Sequence, residues 1–373
     1  MNKTFLNILL PILLCWILCN WFVRPERYNR EENRYLAAAP SLTLSKLLDG
    51  SYGAEWVHYA DDRVAARDVW TSFHSSAEAA LGKRELNGVF IAENALMERL
   101  EKPDERTVEN NIQGIRNYLK NHPYQQGFLM LVPSAAAVQP QKLPAFAEVW
   151  DQWQWIENTE NQLKSDLTPV TLQETFSSHR EEELYYRTDH HWTTLGAYYA
   201  YRELAEALGL PVRGLEEYTA RQVSDSFNGT LYSKSCFRGI APDVITTYSI
   251  GEIREARFGI GDQATVQSSL YFPEYLTKKD QYAVFLGPNQ PLVSIRTGTQ
   301  NGKKLLLFKD SYSHSFVPFL TQDYEEILLA DLRYLNQPLS QLVKLEEYQQ
   351  VVFLYSVDVF THQMQTTKLN TLA

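Results

Sequence analysis

Two short strings of the sequence concentrate residues that could perform nucleophilic chemistry. Residues 186–194 hold Asp189 and His191, and residues 305–311 form an apolar run that ends in an Asp-Ser pair. A serine hydroxyl is a weak nucleophile near pH 7 and needs a general base. A histidine with a nearby aspartate is such a base, because the histidine takes the serine proton while the aspartate fixes its tautomer. The pattern therefore predicts acyl transfer through Ser311, His191 and Asp189.

The spacing within the first string favours one arrangement of these side chains. In an extended loop, residues i and i+2 point the same way, so Asp189 and His191 should act together while His190 points elsewhere. His314 is an alternative base because it is close to Ser311 in sequence, although we expect it to lie on the surface of a helix. We expect no metal and no cofactor, since adjacent imidazoles rarely share a metal and no third ligand is suitably spaced.

Further residues are candidates for holding the oxyanion or the substrate. They are Arg333, Asn289, Asn228, Gly229, Trp192 and Tyr312. Arg333 follows a predicted strand and could either pair with Asp331 or Asp310 or polarise a bound acyl or sugar group. Trp192 could stack on a sugar ring or wedge its loop into the core, and we expect the second. Backbone N–H groups next to Ser311 are the other expected oxyanion donors.

The rest of the sequence predicts helices and strands in alternation, and these must position segments 186–194 and 305–311. Strands are predicted at 88–92, 128–132, 304–308, 327–330 and 351–355, and helices at 108–119, 315–322 and 339–347. Such alternation implies an α/β fold with a mostly parallel sheet and helices on its faces. Ser311 then lies at the carboxyl edge of the sheet, where open α/β folds bind their ligands.

The chain before this body has a different character. Phe5 to Val23 is nearly continuous apolar sequence, close to the ~20 residues that span a bilayer. We expect residues 1–23 to be an uncleaved signal anchor with the body outside the cytoplasm; a cleaved signal peptide, and hence a secreted protein, is the alternative. Residues 24–84 suit a stalk and helical collar, and residues 85–373 the α/β domain, with an irregular insertion at about 213–276.

Composition excludes several classes of protein. The formal net charge of −10 and the lack of a long basic stripe argue against a nucleic-acid partner. Two of the three cysteines lie in the N-terminal apolar run, so no disulfide framework is expected. A hydrophobic fraction of 44% is typical of a packed globular protein.

The strings also carry a family resemblance. Asp189 to Trp192, followed much later by Asp310-Ser311, resembles the SGNH-hydrolase-like proteins of exopolysaccharide O-acetylation, including the alginate O-acetyltransferases. The full Asp-His-His-Trp string resembles the DHHW protein family. Matching segments occur at 32–34, 62–67, 227–232 and 331–334. The resemblance implies a flavodoxin-like SGNH fold in a permuted order, with Asp189 and His191 preceding Ser311; Lys309 stands where the family has glycine.

The function that this resemblance implies is that of an extracytoplasmic serine O-acetyltransferase or esterase acting on a cell-envelope or secreted polysaccharide. A glycan would be the acceptor, and a transferase would need a membrane partner protein that delivers acetyl groups. The alternative is a catalytically inactive protein that keeps the fold as a glycan-binding module or scaffold of the cell envelope.

Overall fold

The computed structural model describes residues 27–369, with the exception of 30, 32, 33, 123, 125, 364 and 365. It also describes seven residues of the N-terminal run, namely 7, 10, 11, 14, 15, 18 and 20. The predicted anchor, residues 1–23, therefore lies largely outside the described residues. Among those that are described, no helix is both long enough and apolar enough to cross a membrane. The chain divides into two compact units, Met1–Asn87 with Tyr232–Gly239, and Gly88–Leu231 with Ile240–Ala373.

The smaller unit is mostly helical. Its elements are strands β1 (Tyr28–Asn29) and β2 (Arg34–Tyr35), helices α1 (Leu44–Leu48), α2 (Ser51–Asp61) and α3 (Arg67–Ala80), and strand β3 (Glu85–Leu86). The buried carboxylate of Asp62 joins its parts, since it accepts hydrogen bonds from the Arg34 guanidinium (3.0 Å) and from the Ala37 N–H (2.7 Å). The bond from Arg34 holds the pKa of Asp62 below its usual value.

The larger unit contains the α/β body. Its strands are β4 (Val89–Ala92), β5 (Ala95–Glu98), β6 (Gln126–Val132), β7 (Thr168–Pro169), β8 (Thr219–Phe227), β9 (Asp243–Ser249), β10 (Ile253–Phe258), β11 (Thr265–Gln267), β12 (Leu292–Thr297), β13 (Lys304–Lys309), β14 (Glu326–Ala330) and β15 (Gln350–Ser356). Its helices are α4 (Glu105–Asn121), α5 (Ala135–Val138), α6 (Gln152–Leu163), α7 (Gln173–Ser178), α8 (Thr194–Ala207), α10 (Ser313–Phe316) and α11 (Val357–His362), while α9 (Thr230–Ser235) runs from this unit into the smaller one.

One eight-stranded sheet organises this unit, in the order β11-β10-β12-β14-β13-β15-β6-β7. Strands β14, β13, β15, β6 and β7 are parallel to one another, and β12, β10 and β11 extend the sheet beyond β14 by antiparallel pairing. The predicted α/β class with a large, mostly parallel sheet is therefore confirmed. Because β13 and β15 are paired in parallel, their carboxyl ends lie side by side.

Both faces of the sheet are buried at strands β6, β13, β14 and β15, which explains why these four strands appear as continuous apolar runs. Alternate residues of β13 point to opposite sides, so that Leu305 and Leu307 join one buried cluster while Leu306 and Phe308 join the other. The first cluster includes helix α8 and the second includes helices α4 and α6. The sheet is thus a layer between helices, as the sequence predicts.

Residues 213–276 are more regular than their sequence pattern suggests. Strands β8 and β9 pair as an antiparallel hairpin, and β10 and β11 join the antiparallel side of the main sheet. In β10 the buried side chains of Ala256 and Phe258 are interrupted by the exposed Arg257, so the strand never forms a continuous apolar run.

The predictions of α-helices at 315–322 and 339–347 are wrong, because both segments consist mainly of 3₁₀ turns. The first is only the four-residue α10, continued by a 3₁₀ turn over Val317–Leu320 that contains Pro318. The second is two separate 3₁₀ turns, Leu339–Gln341 and Leu345–Glu347. Leucines recur there every third residue, which is the period of a 3₁₀ turn rather than of an α-helix.

Candidate functional site

Ser311 occupies the turn that follows strand β13. Asp310, directly before it, is fully buried and accepts hydrogen bonds from the backbone N–H groups of Tyr312 (2.9 Å) and Ser356 (2.7 Å). Since Ser356 ends the neighbouring strand β15, this carboxylate ties two strand ends together and fixes the shape of the turn. The Tyr282 hydroxyl also donates to the carbonyl of Ser311 (3.1 Å). Ser311 is therefore held at the carboxyl edge of the sheet, as predicted.

The loop that carries Asp189 and His191 is closed by main-chain hydrogen bonds. The N–H of Tyr186 donates to the carbonyl of His191 (3.2 Å), and the N–H of Thr193 donates to that of Leu184 (2.9 Å). Thr193 then caps helix α8, its hydroxyl accepting from the N–H of Gly196 (3.2 Å). The loop is thus a tight turn attached to a rigid helix.

Within this loop, Asp189 makes a local turn of its own. Its Oδ1 accepts from the backbone N–H of His191 (3.0 Å), two residues along, as in an Asx turn. The prediction that His190 points elsewhere is wrong, because the chain forms this turn instead of an extended loop and the two imidazoles lie against each other, with their planes 36° apart. Their ring centroids are 3.9 Å apart, and His190 Nδ1 bonds the Thr230 hydroxyl (2.7 Å).

The structure brings Asp189, His191 and Ser311 into one hydrogen-bonded chain. Asp189 Oδ1 lies 2.6 Å from His191 Nδ1, and His191 Nε2 lies 2.8 Å from Ser311 Oγ. The ring of Tyr282 stacks on the imidazole of His191, with centroids 3.8 Å apart and planes 8° from parallel. Both distances fall within the range for a serine paired with a general base and its orienting carboxylate.

Thr230 also holds the Asp189 carboxylate, through its other oxygen atom. Its Oδ2 accepts from both the N–H (2.7 Å) and the hydroxyl (2.9 Å) of Thr230. Gly229 permits this approach, since a Cβ at that position would lie 2.3 Å from the Cβ of Asp189. On the other side, the Asp243 carboxylate accepts from the N–H groups of Arg187 and Thr188, both at 2.8 Å. The loop is fixed on both flanks.

The protonation states suit a base at His191. Burial lowers the pKa of His191 to about 4, assisted by His190 and opposed by Asp189. Burial alone would raise the pKa of Asp189, but the two histidines and the hydrogen bonds from His191 and Thr230 outweigh it, so that this pKa lies well below its usual value. At neutral pH the imidazole is therefore neutral and the carboxylate charged, the pairing that a serine–histidine–aspartate mechanism requires.

Lys309 lies beneath the nucleophile turn and is completely buried. Its Nζ donates to His314 Nε2 (2.8 Å) and lies 3.2 Å from Asp331 Oδ2. Burial lowers the pKa of Lys309, and the charge of Asp331 opposes that shift. The expectation of a surface histidine at position 314 is wrong: His314 is 4% exposed, and burial together with the Lys309 charge lowers its pKa. With Nε2 occupied by Lys309, His314 is not placed to serve Ser311.

A cavity of about 180 Å³ opens beside Ser311. Besides the nucleophile, its walls include His190, Tyr312 and Arg333, and the carboxylate residues Glu98 and Asp358. Arg333 is held by two bonds to Asp331, from Nε to Oδ1 (2.9 Å) and from Nη2 to Oδ2 (2.7 Å). Of the two roles considered for Arg333, pairing with Asp331 is thus present, and its side chain also reaches the cavity.

The other predicted residues lie around this cavity without lining it. Trp192 is fully buried, and its Nε1 donates to the carbonyl of Tyr312 (2.9 Å), so it supports the core rather than stacking on a ligand. Gly229 donates its N–H to the Thr188 hydroxyl (3.1 Å) and is not available as an oxyanion donor. Asn289 accepts a long bond from Arg333 (3.4 Å), and the buried Oδ1 of Asn228 has no hydrogen-bond partner in the described structure.

Most backbone N–H groups expected to hold an oxyanion are already used. Tyr312 donates to the Asp310 side chain, Ser313 to the Asp310 carbonyl and His314 to the Ser311 carbonyl. Within the described part of the chain, the N–H of Ser311 itself makes no hydrogen bond. It is therefore the main-chain donor that remains for a developing negative charge beside the nucleophile.

A metal would have to compete with this network. Ligand atoms of Asp189, His190 and His191 lie within 4.8 Å of one another, which is close enough for a shared ion. However, Nδ1 of His191 already bonds Asp189, and Nδ1 of His190 bonds Thr230. These atoms are committed to orienting the imidazoles, which suits proton transfer better than metal ligation.

Several residues that support the site were not predicted from the sequence. They are Thr188, Thr230, Asp243, Tyr282 and Ser356. Thr230 follows Asn228-Gly229 in a segment already noted for its resemblance, so a signal for it existed. Asp243 and Tyr282 are single residues with no local pattern, and only the folded chain reveals their contacts.

Comparison with known proteins identifies a matching family and similar solved structures. The family model described as DHHW protein matches residues 150–330. No curated protein matches the sequence. A crystal structure of a DHHW family protein from Eubacterium siraeum has 26% sequence identity and a TM-score of 0.68, covering 76% of this chain and 96% of that one.

Two further solved structures are similar to the chain to different degrees. Bacillus cereus PatB1, determined with a sulfonyl adduct, has 18% identity and a TM-score of 0.60, covering 75% of this chain and 97% of its own. The O-acetyltransferase domain of Pseudomonas putida AlgJ has 16% identity and a TM-score of 0.46, covering 76% of this chain and 99% of its own.

Proposed function

We propose that this chain, which over residues 150–330 belongs to the DHHW protein family, is a serine O-acyl transferase or esterase with Ser311 as nucleophile. One observation carries the proposal: the continuous hydrogen-bonded chain from Ser311 Oγ through His191 to Asp189, with links of 2.8 and 2.6 Å. Side chains 120 residues apart in sequence meet in this order at the edge of the sheet. Neither a turn serine nor a structural histidine requires that arrangement.

The reaction follows from these positions. Ser311 Oγ attacks the carbonyl carbon of an acyl ester while His191 Nε2 takes its proton. His191 then gives that proton to the departing alkoxide, which leaves an acyl group on Ser311. A water or sugar hydroxyl, deprotonated by His191, attacks the acyl-serine, and the proton returns to Ser311. Asp189 stays charged throughout and stabilises the imidazolium that forms twice.

The oxyanion of each tetrahedral intermediate would lie near the unpaired N–H of Ser311. A donor of this kind contributes roughly 3 to 4 kcal/mol to a barrier in other serine enzymes. Arg333 lines the same cavity and carries a charge that the Asp331 carboxylate partly offsets. We propose that its guanidinium assists in holding the acyl oxygen or a hydroxyl of the acceptor.

Polar walls around Ser311 support a hydroxylated acceptor. Besides Arg333, the cavity presents the hydroxyl residues Ser134 and Ser356 and the carboxylate residues Glu98 and Asp358, groups that bind sugar hydroxyls well. We therefore propose an O-acetyl group as the acyl unit and a cell-envelope or secreted glycan as the acceptor, outside the cytoplasm. A membrane protein that supplies acetyl groups is the expected partner.

Hydrolysis of p-nitrophenyl acetate by the purified protein tests the nucleophile. We expect Ser311→Ala to reduce kcat/KM by about 10³-fold or more, since the serine and its base act as a unit. Ser178→Ala, on the exposed end of helix α7, is the matched control and should leave the rate unchanged. A Ser311→Ala protein as active as the wild type would refute the assignment.

Transfer is separated from hydrolysis by adding an acceptor. We expect O-acetylated oligosaccharide, measured by mass spectrometry, to form from p-nitrophenyl acetate only when Ser311 is present. If hydrolysis depends on Ser311 but no oligosaccharide is acetylated at any concentration, the esterase form of the proposal is retained and the transferase form is abandoned.

A further inference from the structure

Exposed apolar side chains are unevenly distributed between the two units. Among the described residues, nineteen large hydrophobic side chains are exposed, and only five of them, Phe146, Val212, Val244, Val266 and Tyr334, belong to the larger unit. The other fourteen lie in the smaller unit, although it has about a quarter of the chain. Single exposed hydrophobic residues are ordinary on a protein surface, but such a concentration marks an interaction surface.

Helix α3 shows how this surface is built. Val69, Trp70 and Phe73 are 66%, 54% and 67% exposed, while Ser75 and Ala79 are buried. At about 100° per residue, the three exposed side chains fall within an arc of about 100°, and the two buried ones lie on the opposite side. The large apolar residues of this helix are therefore on its exposed face, whereas its buried face carries small residues.

The N-terminal apolar run belongs to the same unit. Leu10, Leu14 and Leu18 are exposed at helical spacing. Asn20, near the end of the run, accepts a hydrogen bond at its Oδ1 from the N–H of Ala65 (2.7 Å), two residues before α3 begins. The run from Phe5 to Val23 has nearly the length needed to span a bilayer. Asn20 of the run is therefore bonded to the segment that leads into α3.

We propose that the face of α3 formed by Val69, Trp70 and Phe73 lies in the interfacial layer of a lipid bilayer. Tryptophan and phenylalanine favour that layer, and an amphipathic helix can lie in its plane with the apolar side turned into the acyl boundary. A protein partner would also cover an apolar face, but it would not account for a run of bilayer length whose Asn20 is bonded to Ala65, two residues before α3. This binding surface is separate from the acyl-transfer site and does not depend on the proposed reaction.

Photo-crosslinking of the full chain in phospholipid vesicles tests the proposal. p-Benzoylphenylalanine replaces Phe73 in one sample and Phe146, a fully exposed residue of the larger unit, in the matched control. After irradiation, we expect lipid adducts at position 73 to exceed those at position 146 by at least about tenfold. Equal lipid labelling at the two positions, no lipid adduct at position 73, or adducts there mainly with a second copy of the chain would each overturn it.

A second measurement needs no photoreactive residue. Vesicles with brominated acyl chains quench tryptophans that lie in the membrane, and Trp70→Tyr removes one of the eight tryptophans. We expect quenching of the wild type to exceed that of Trp70→Tyr, with unchanged melting temperature because the side chain is exposed. Identical quenching of the two proteins would contradict the interfacial position of α3.

Discussion

Replacing Gly229 by alanine tests the positioning of the candidate triad without touching any of its members. The new Cβ would lie 2.3 Å from the Cβ of Asp189 and 2.4 Å from its Oδ2. Ordinary contact begins near 3.4 Å, so Gly229 and Asp189 must separate by about 1 Å. Both belong to segments fixed by hydrogen bonds, which leaves little room to relax. A misplacement of about 1 Å near a reacting group can reduce catalysis by about 10²-fold.

We therefore expect Gly229→Ala to lower kcat for p-nitrophenyl acetate by about 10²-fold while the protein still folds. Gly53→Ala is the matched control, because Gly53 is exposed in helix α2 and its Cβ would meet nothing within 4 Å. That change should be neutral or stabilise the helix by about 0.5 to 1 kcal/mol. Wild-type kcat in a Gly229→Ala protein with normal melting temperature would refute the role of Asp189 in orienting His191.

Three further outcomes follow from the contacts around the site. Because burial lowers the pKa of His191 to about 4, the base remains neutral in weak acid, and kcat/KM should stay constant down to about pH 5 and fall only near pH 4; an acid limb near pH 6.5 would contradict this. Lys309→Met removes one of the two cations that pair with the buried Asp331, and because Arg333 remains bonded to that carboxylate, it should lower the free energy of unfolding in urea by roughly 1.5 to 3 kcal/mol; an unchanged free energy would show that Lys309 does not stabilise Asp331. Thr230→Val removes a hydroxyl that donates to the Asp189 carboxylate and should reduce kcat about tenfold, with Thr230→Ser restoring it; equal rates for valine and serine would exclude this role.

The sequence predicted the strands of the sheet that are buried on both faces. Strands β6, β13, β14 and β15 appear in the sequence as apolar runs too short for a buried helix. It failed at the C-terminal helices, where Pro318 and leucines spaced by three shortened the turns. The antiparallel strands β10 and β11 were obscured because polar and charged residues interrupt their apolar positions.

At the candidate site, the sequence determined which groups are available. Asp189 and His191 are two residues apart, so their interaction could be deduced from the chain alone, and Ser311 could be placed at the edge of the sheet because a strand precedes it. The local geometry differs from the predicted extended loop: an Asx turn aligns Asp189 with His191 and brings the ring of His190 to 3.9 Å from that of His191.

Only the tertiary structure decided what surrounds those groups. The 2.8 Å approach of His191 to Ser311 joins residues 120 positions apart, and Thr230 completes the support of Asp189 from a third segment. The partner of Lys309 is likewise remote in sequence. A buried ammonium group needs a nearby negative charge, and Asp331, just after the neighbouring strand β14, provides it. Residue types and short spacings are properties of the chain, whereas distances between remote segments, and the pKa shifts that burial causes, arise only when the sheet and its loops pack together.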